Sequence, residues 1–221
     1  EIDQLERLDP TAPYFFSNFH LFHIKQPDVA QDSNELANIK NLILNFEDAL
    51  IYQRFSNDAE GYKSLINLNS FVDWFLINEI TKNIDARAFF SSVYLTISAD
   101  GKIDLGPIWD FDLSMAGDSE GWWMIGSPWF ELLLQDPYFV DRVKQRFEHF
   151  YSNKAEILDK VDAFGKYLEL ASEQNDLKWK TIGTYVFPNP TYFESYDQEL
   201  NFLKTWIADR MEWLKQEMSE L

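Results

Sequence analysis

Hydrophobic residues recur at helical spacing along most of this chain. Ser33 has the residue type of a helix N-cap, and apolar residues then fall three or four positions apart, at Leu36, Ile39, Leu42, Ile43, Phe46 and Leu50. A second helix is predicted over 70–81. It should be buried, because apolar residues cover most of its surface: Phe71, Trp74, Phe75, Ile77 and Ile80.

The last hundred residues repeat the helical pattern three times. Pro137 suits the first turn of a helix, whose apolar face would consist of Phe139, Val140, Val143, Phe147 and Phe150. A further helix continues with Ile157, Val161, Phe164, Leu168 and Ala171. After a loop around 186–190, the last helix uses Leu200, Leu203, Ile207, Met211 and Leu214. Residues 126–221 are therefore predicted to form a helical C-terminal subregion.

One segment has the pattern of β-structure. Residues 92–97 are β-branched and aromatic, residues 99–102 have the composition of a turn, and the strand pattern resumes at 103–105. These features predict a hairpin with strands near 93–98 and 102–108.

The first 30 residues show no periodic pattern. Pro10, Pro13 and Pro27 interrupt them, so an irregular connecting segment is predicted over 1–30. Residues 31–125 would then hold the first helices and the hairpin. The predicted fold class is α+β, predominantly α-helical, with one central β-hairpin.

Composition and charge exclude several classes of protein. With 46% hydrophobic residues among 221, the chain can bury a core, and disorder is excluded. The 37 acidic and 19 basic residues give a net charge of −18, which disfavours binding to nucleic acids and to anionic membranes. No apolar run approaches the ~18 residues that a membrane helix requires, so no membrane insertion is expected. The absence of cysteine excludes disulfides, zinc–thiolate sites and thiol nucleophiles.

Polar residues crowd the end of the predicted buried helix, at Asn78, Glu79, Lys82, Asn83, Asp85 and Arg87. Because a hairpin returns the chain towards its start, Asp110 and Asp112 can lie beside Asp85. Carboxylates among aromatic residues are costly to desolvate, and a bound divalent cation would relieve that cost. The residues alone leave a second interpretation open, in which these are hydrogen-bonded capping and turn aspartates.

The same region resembles a known family. The runs Phe71–Asp85 (FVDWFLINEITKNID) and Leu105–Asp112 (LGPIWDFD) are similar to those of the CotH kinase family, the relatives of spore-coat protein H. Lys25–Asp28 and Ser127–Phe130 also resemble family features, so the likeness spans residues 20–150. Family members resemble protein kinases in fold and transfer phosphate from ATP to serine or threonine of secreted proteins. The resemblance therefore implies a kinase-like C-terminal lobe of an atypical protein kinase.

The resemblance also implies roles for individual residues. Asp85 matches the catalytic aspartate, which accepts or orients the proton of the acceptor hydroxyl. Asp110 matches the aspartate that binds the metal ion of the nucleotide, Mg²⁺ or Mn²⁺ with ATP, and Asp112 and Asp85 would supply further oxygen ligands. Ca²⁺ could occupy the same carboxylates. Arg87 lies where kinases often keep a cation for the transferred phosphate, with a surface salt bridge as the alternative. Asn83 could contact the nucleotide–metal complex or merely cap the preceding helix.

Two features depart from the family pattern. Many relatives have an asparagine ligand just before the hairpin, where this chain has Ser91 and Ser92, and a hydroxyl is a weaker ligand than an amide carbonyl. Before Pro27 there is no pattern of a strand-rich lobe with a glycine-rich loop and a phosphate-binding lysine. We therefore expect this chain, which opens on Glu1, to be a C-terminal lobe that is nearly inactive alone. Its parent protein is expected outside the cytoplasm, secreted or on a cell or spore surface, of a bacterium.

Two other functions stay open on the sequence. One is a catalytically silent surface module that uses cations to bind a partner protein or polysaccharide, and nucleotide binding would discriminate it from a kinase. The other is glycoside hydrolysis by Asp85 with Asp110, which has no supporting motif. His20 and His23 are predicted to have packing or surface roles. The tryptophan-rich run 121–129 is predicted to anchor the loop that follows the aspartates, with carbohydrate or peptide stacking as the alternative.

Overall fold

The computed structural model describes residues 1–56, 60–89 and 92–221. The helices in these residues are α1 (Asn34–Ile51), α2 (Tyr62–Leu65), α3 (Leu68–Thr81), α4 (Pro128–Leu133), α5 (Pro137–Ser152), α6 (Lys154–Trp179) and α7 (Tyr196–Glu217), with 3₁₀ turns at Leu5–Arg7 and Arg87–Phe89. The strands are β1 (Ile2–Asp3), β2 (Tyr14–Phe16), β3 (Leu21–His23), β4 (Leu95–Ile97) and β5 (Ile103–Leu105). The predicted class, α+β and predominantly helical, is confirmed.

Helices α1 and α3 form where the apolar spacing predicts them. The hydroxyl of Ser33 accepts a hydrogen bond from the Leu36 N–H, which is the predicted N-cap of α1. Helix α3 is buried as expected, and it packs against α5, α7 and β5. The indole of Trp129 lies 5.1 Å from the rings of both Phe46 and Phe89, so aromatic contacts join α4 to α1 and to the chain that follows α3.

The hairpin is confirmed, although its strands are shorter than predicted. Strands β4 and β5 pair antiparallel with Thr96 opposite Asp104. The sheet ends early because the segment after Leu105 turns away at Gly106. Its φ of +126° is a conformation that glycine adopts readily and other residues rarely do.

The prediction of an irregular segment over 1–30 is wrong. Strands β1, β2 and β3 form an antiparallel sheet in the order β1-β3-β2, so the hairpin is one of two small sheets. The Ile2 N–H also donates to the Val93 carbonyl, which ties this sheet to the chain just before β4. Strands of two or three residues are too short to carry a periodic signal. They are fixed by burial of Ile2, Phe15 and Phe22 against the helices.

The turn between β2 and β3 is held by a buried carboxylate. Glu47 on α1 accepts hydrogen bonds from the Ser17 hydroxyl (2.8 Å), the Asn18 N–H (2.7 Å) and the indole N–H of Trp129 (3.0 Å). Burial raises the pKa of the Glu47 carboxyl, and the three donors partly oppose that rise. One side chain therefore joins the first sheet, α1 and α4.

Helix α6 is present as predicted, but only the first half of its predicted apolar face is covered by other residues. Ile157 and Val161 are partly buried, whereas Phe164 and Leu168 are exposed. Beyond this point α6 contacts mainly α7, and Leu200 packs closely against Gly165.

An ion pair between α3 and α7 is fully buried. Arg210 donates to the Glu79 carboxylate at 2.5 Å and to the Glu79 backbone carbonyl at 2.9 Å. Burial raises the pKa of Glu79 and lowers that of Arg210, and the attraction between them opposes both shifts. The same carboxylate accepts the backbone N–H groups of Trp123 (2.8 Å) and Met124 (2.6 Å), so the pair also fixes the loop before α4.

His23 is buried and His20 is partly buried, in keeping with the predicted packing or surface roles. The His20 ring stands nearly perpendicular to those of Phe89 and Trp129, at 5.0 and 5.6 Å, and burial lowers its pKa to about 4. The His23 Nε2 atom accepts a hydrogen bond from the backbone N–H of Asp9 at 3.2 Å.

We predict that His20 lowers stability in acid. The folded state keeps the imidazole neutral down to a pKa of about 4, whereas the unfolded chain protonates it near 6.5. Between these values the unfolded state binds more protons, so stability falls as the pH falls. Between pH 7.5 and pH 4, the unsubstituted protein should lose up to about 3 kcal/mol more unfolding free energy than His20→Phe does. Urea unfolding across this pH range measures the difference. His149, which is exposed on α5, is the matched control, and His149→Phe should keep the original pH dependence.

We also predict that breaking the buried ion pair is strongly destabilising. Arg210→Met would leave the Glu79 carboxylate buried without its cation, and the unfolding free energy should fall by about 3–5 kcal/mol. Lys215 on the same helix pairs with Glu148 at the surface, so Lys215→Met should change stability by less than about 1 kcal/mol. Urea denaturation monitored by circular dichroism compares them, and similar small losses in both variants would contradict the central role of the pair.

Candidate active site

The loop after α3 is shaped by Asn83. The Asn83 amide donates to the Asn78 side-chain oxygen (3.1 Å), and its own side-chain oxygen accepts the backbone N–H of Asp85 (3.1 Å). The Asn83 carbonyl accepts the indole N–H of Trp123 at 2.7 Å. Both polar groups of this buried side chain are thus used within the protein, which makes Asn83 a residue that positions Asp85. Its direct contact with a nucleotide stays a prediction.

The structure brings Asp85 and Asp110 together. The Ser92 hydroxyl lies 3.2 Å from Oδ2 of Asp85 and 3.3 Å from Oδ2 of Asp110. Asp85 is half-buried and Asp110 is exposed. Two carboxylates therefore converge on one hydroxyl at the surface, where the β4–β5 hairpin returns the chain. Ser91, the other hydroxyl weighed as a ligand, lies outside the described residues.

The backbone around this pair adopts left-handed conformations that side chains usually avoid. Positive φ angles occur at Ala88 (+53°), Phe89 (+54°), Ser92 (+56°) and Asp110 (+60°). Such residues each cost on the order of 1 kcal/mol or more and are held in place by their surroundings. One support is visible at Ala88, whose N–H donates to the Ser127 hydroxyl at 3.0 Å.

Two cations lie over one indole ring beside the carboxylates. The Arg87 guanidinium stands 4.4 Å from the centre of the Trp123 ring, and the Lys82 ammonium stands 5.3 Å from it. Lys82 also donates to the backbone carbonyls of Asp118 and Glu120. Burial lowers the pKa of Lys82. In the described residues no carboxylate pairs with Arg87, so the salt-bridge alternative finds no support.

Asp112 faces a different surface. It is exposed and lines a groove with Met115 and with residues of the connection between α6 and α7. In the part of the chain that the structure describes, it makes no hydrogen bond to Asp85 or Asp110. Nor do three histidine, aspartate or glutamate side chains converge anywhere in residues 1–56, 60–89 and 92–221 to hold a metal. The site thus offers two carboxylates, with Asp112 apart from them.

An apolar groove of about 670 Å³ runs along one side of strand β4. Leu95 and Ile97 of β4 and Pro107 line one side, and Ile24 and Ile43 lie opposite. Where the chain leaves the hairpin, Trp109 is exposed and its ring lies 6.3 Å from that of Tyr94. A flat ligand could enter this groove.

Sequence reasoning missed the residues that hold the site in place. Arg210 lies 131 positions from Glu79, and no local pattern links them. Trp123 and Ser127 support the loop through hydrogen bonds to Asn83 and Ala88. The one available signal was the tryptophan-rich run, and its predicted anchoring role is confirmed.

Comparison with known protein families gave one match. Residues 21–214 match the family described as CotH kinase protein, a span that includes every candidate residue of the site. No curated protein matches the chain, and no solved structure does. In the described residues no helix is long and apolar enough to cross a membrane. Because this match covers most of the chain, the chain belongs to the CotH kinase family.

Proposed function

We propose that this chain carries the catalytic and metal-binding aspartates of an ATP-dependent serine/threonine kinase that acts on secreted or surface proteins outside the cytoplasm. The observation that carries the proposal is the convergence of Asp85 and Asp110 on the Ser92 hydroxyl. Phosphoryl transfer needs positioning and charge neutralisation more than covalent chemistry, and a small, fixed pair of carboxylates beside a cation suits it.

The donor set fits Mg²⁺ or Mn²⁺ carried with a nucleotide. Mg²⁺ keeps several water ligands and is commonly bound by one or two carboxylates together with substrate phosphates, whereas Ca²⁺ takes six to eight oxygen ligands. Asp110 and Asp85 would hold the ion, which would neutralise charge on the phosphates. With two carboxylates in place, Ca²⁺ alone fits less well.

Asp85 is proposed to orient the acceptor hydroxyl. The Ser92 hydroxyl already lies at hydrogen-bond distance from Asp85 Oδ2, so this oxygen is accessible to an alcohol of serine size. The hydrogen bond from the Asp85 backbone N–H to Asn83 holds the backbone from which this carboxylate extends.

The cations on Trp123 are proposed to receive phosphate. At a net charge of −18 the protein repels ATP on average, so local positive charge is needed at the site. Arg87 is exposed and free of a carboxylate partner among the described residues, and Lys82 lies beside it. The groove lined by Leu95 and Ile97 could take the base of the nucleotide, since apolar walls suit a flat aromatic ring.

The first prediction from this proposal concerns metal. Asp110→Asn should weaken Mn²⁺ binding in the presence of ATP by at least about tenfold, equivalent to ~1.4 kcal/mol, because it removes a charged ligand. Electron paramagnetic resonance of free Mn²⁺, with and without ATP, measures this. Asp85→Asn should weaken binding more than Asp112→Asn, because Asp112 lies apart from the pair. Unchanged affinity in Asp110→Asn would remove Asp110 from the site. Cation binding that ATP does not alter would favour the silent surface module.

The second prediction concerns transfer. In the full-length gene product, Asp85→Ala should lower phosphorylation of serine or threonine by about 10²–10⁴-fold, the usual contribution of a positioned acid–base group. Its circular dichroism spectrum should not change. Asp100, an exposed carboxylate in the hairpin turn, is the control, and Asp100→Ala should retain activity. Radiolabelled ATP measures transfer, and full activity of Asp85→Ala would refute the catalytic assignment.

A further inference from the structure

Two grooves adjoin each other on the side of the molecule formed by α6 and α7. One runs from Asp112 past Met115 to the connection between these helices, and the other lies between the end of α6 and the start of α7. Each has a volume of about 470 Å³, and they share Ile182 and Tyr196. Together they form a surface continuous enough to hold an extended segment of polypeptide. We call it the α6–α7 surface.

The α6–α7 surface exposes large apolar side chains. Leu177, Tyr192 and Val186, which line the grooves, are 65%, 49% and 41% exposed. A cluster of this kind is uncommon on a protein that has no partner there, since water contacts with apolar surface are unfavourable. The exposed half of α6, where the predicted apolar face finds no neighbour, continues the cluster through Leu168.

All the charged residues that line the two grooves are acidic. They are Asp112, Glu169, Glu173, Asp176, Asp197 and Glu199, and no lysine or arginine among the described residues lines either groove. Lys178 and Lys180 lie at the end of α6 without lining them, and the Lys178 ammonium stands 4.5 Å from the ring of Trp179. Asp176 and Glu199 each accept a backbone N–H of the connecting chain.

We propose that the α6–α7 surface docks an extended, basic segment of another protein that also carries aliphatic or aromatic residues. Lysine or arginine side chains would meet the acidic groups, and apolar side chains would cover Leu177, Val186 and Tyr192. A second copy of this chain is a poor occupant, because each copy carries a charge of −18 and presents the same acidic grooves.

This docking needs neither nucleotide nor metal, so it goes beyond the proposed phosphoryl transfer. The Asp112 end of the surface lies two residues from Asp110. Loss of docking and loss of transfer remain separable, since Asp85 and Asp110 line neither groove.

Binding of defined peptides tests the proposal. The probe is a fluorescein-labelled 12-residue peptide of alternating lysine and leucine with one central serine, measured by fluorescence anisotropy without ATP or metal. The Glu173→Lys variant should weaken binding by about tenfold or more at low salt, and Leu177→Ser by about threefold or more. Asp141→Lys, which alters an exposed acid on α5, is the matched control and should bind as the unsubstituted protein does. Circular dichroism checks that each variant is folded.

Peptide controls make the outcome decisive. The same peptide with leucine replaced by serine should bind at least about threefold more weakly, because the apolar contact is lost. Equal binding of these two peptides, or equal weakening by Asp141→Lys, would show general charge attraction and overturn the proposal. Sedimentation equilibrium tests whether a second copy of the chain occupies the surface instead. A dimer that Leu177→Ser dissociates would also overturn it, by showing that a second copy covers the surface.

Discussion

The ion pair between Glu79 and Arg210 is the interaction on which the rest of the structure depends. Two opposite charges without contact to water are costly unless they are paired and also hydrogen-bonded to their surroundings. Here the carboxylate accepts two backbone N–H groups, and the guanidinium donates to the carbonyls of Ser119 (2.9 Å) and Gly121 (2.8 Å) as well. These requirements fix the end of α3, the loop before α4 and the middle of α7 relative to one another.

The geometry of the candidate site follows from that arrangement. Because Glu79 holds the Trp123 backbone, the Trp123 indole reaches the Asn83 carbonyl and supports the two cations beside it. Asn83 in turn holds Asp85 through its backbone N–H. The buried pair thus helps to fix the backbone at Asp85, and the left-handed residues near it can persist because their neighbours are fixed.

Charge is distributed unevenly over this strongly acidic protein. Arg87 and Lys82, which follow α3, both lie over the Trp123 ring. The α6–α7 surface has only acidic residues along its grooves, and it combines them with exposed aromatic rings. Under the two proposals, anionic and cationic partners would therefore bind at different places on a molecule with a charge of −18.

The sequence by itself determined the elements whose signal is local. Periodic apolar residues predicted α1 and α3, the turn at 99–102 predicted the hairpin, and the return of the chain predicted that Asp85 and Asp110 meet. The tertiary structure alone decided the sheet over the first residues, the pairing of Arg210 with Glu79, the separation of Asp112 from the pair and the exposure of the second half of α6. A strand of two or three residues is too short to show periodicity in the sequence, and a contact across 131 positions leaves no local pattern. An apolar face predicts only that other residues can pack against the helix. Which neighbour covers it, or whether any does, depends on how all the helices pack together.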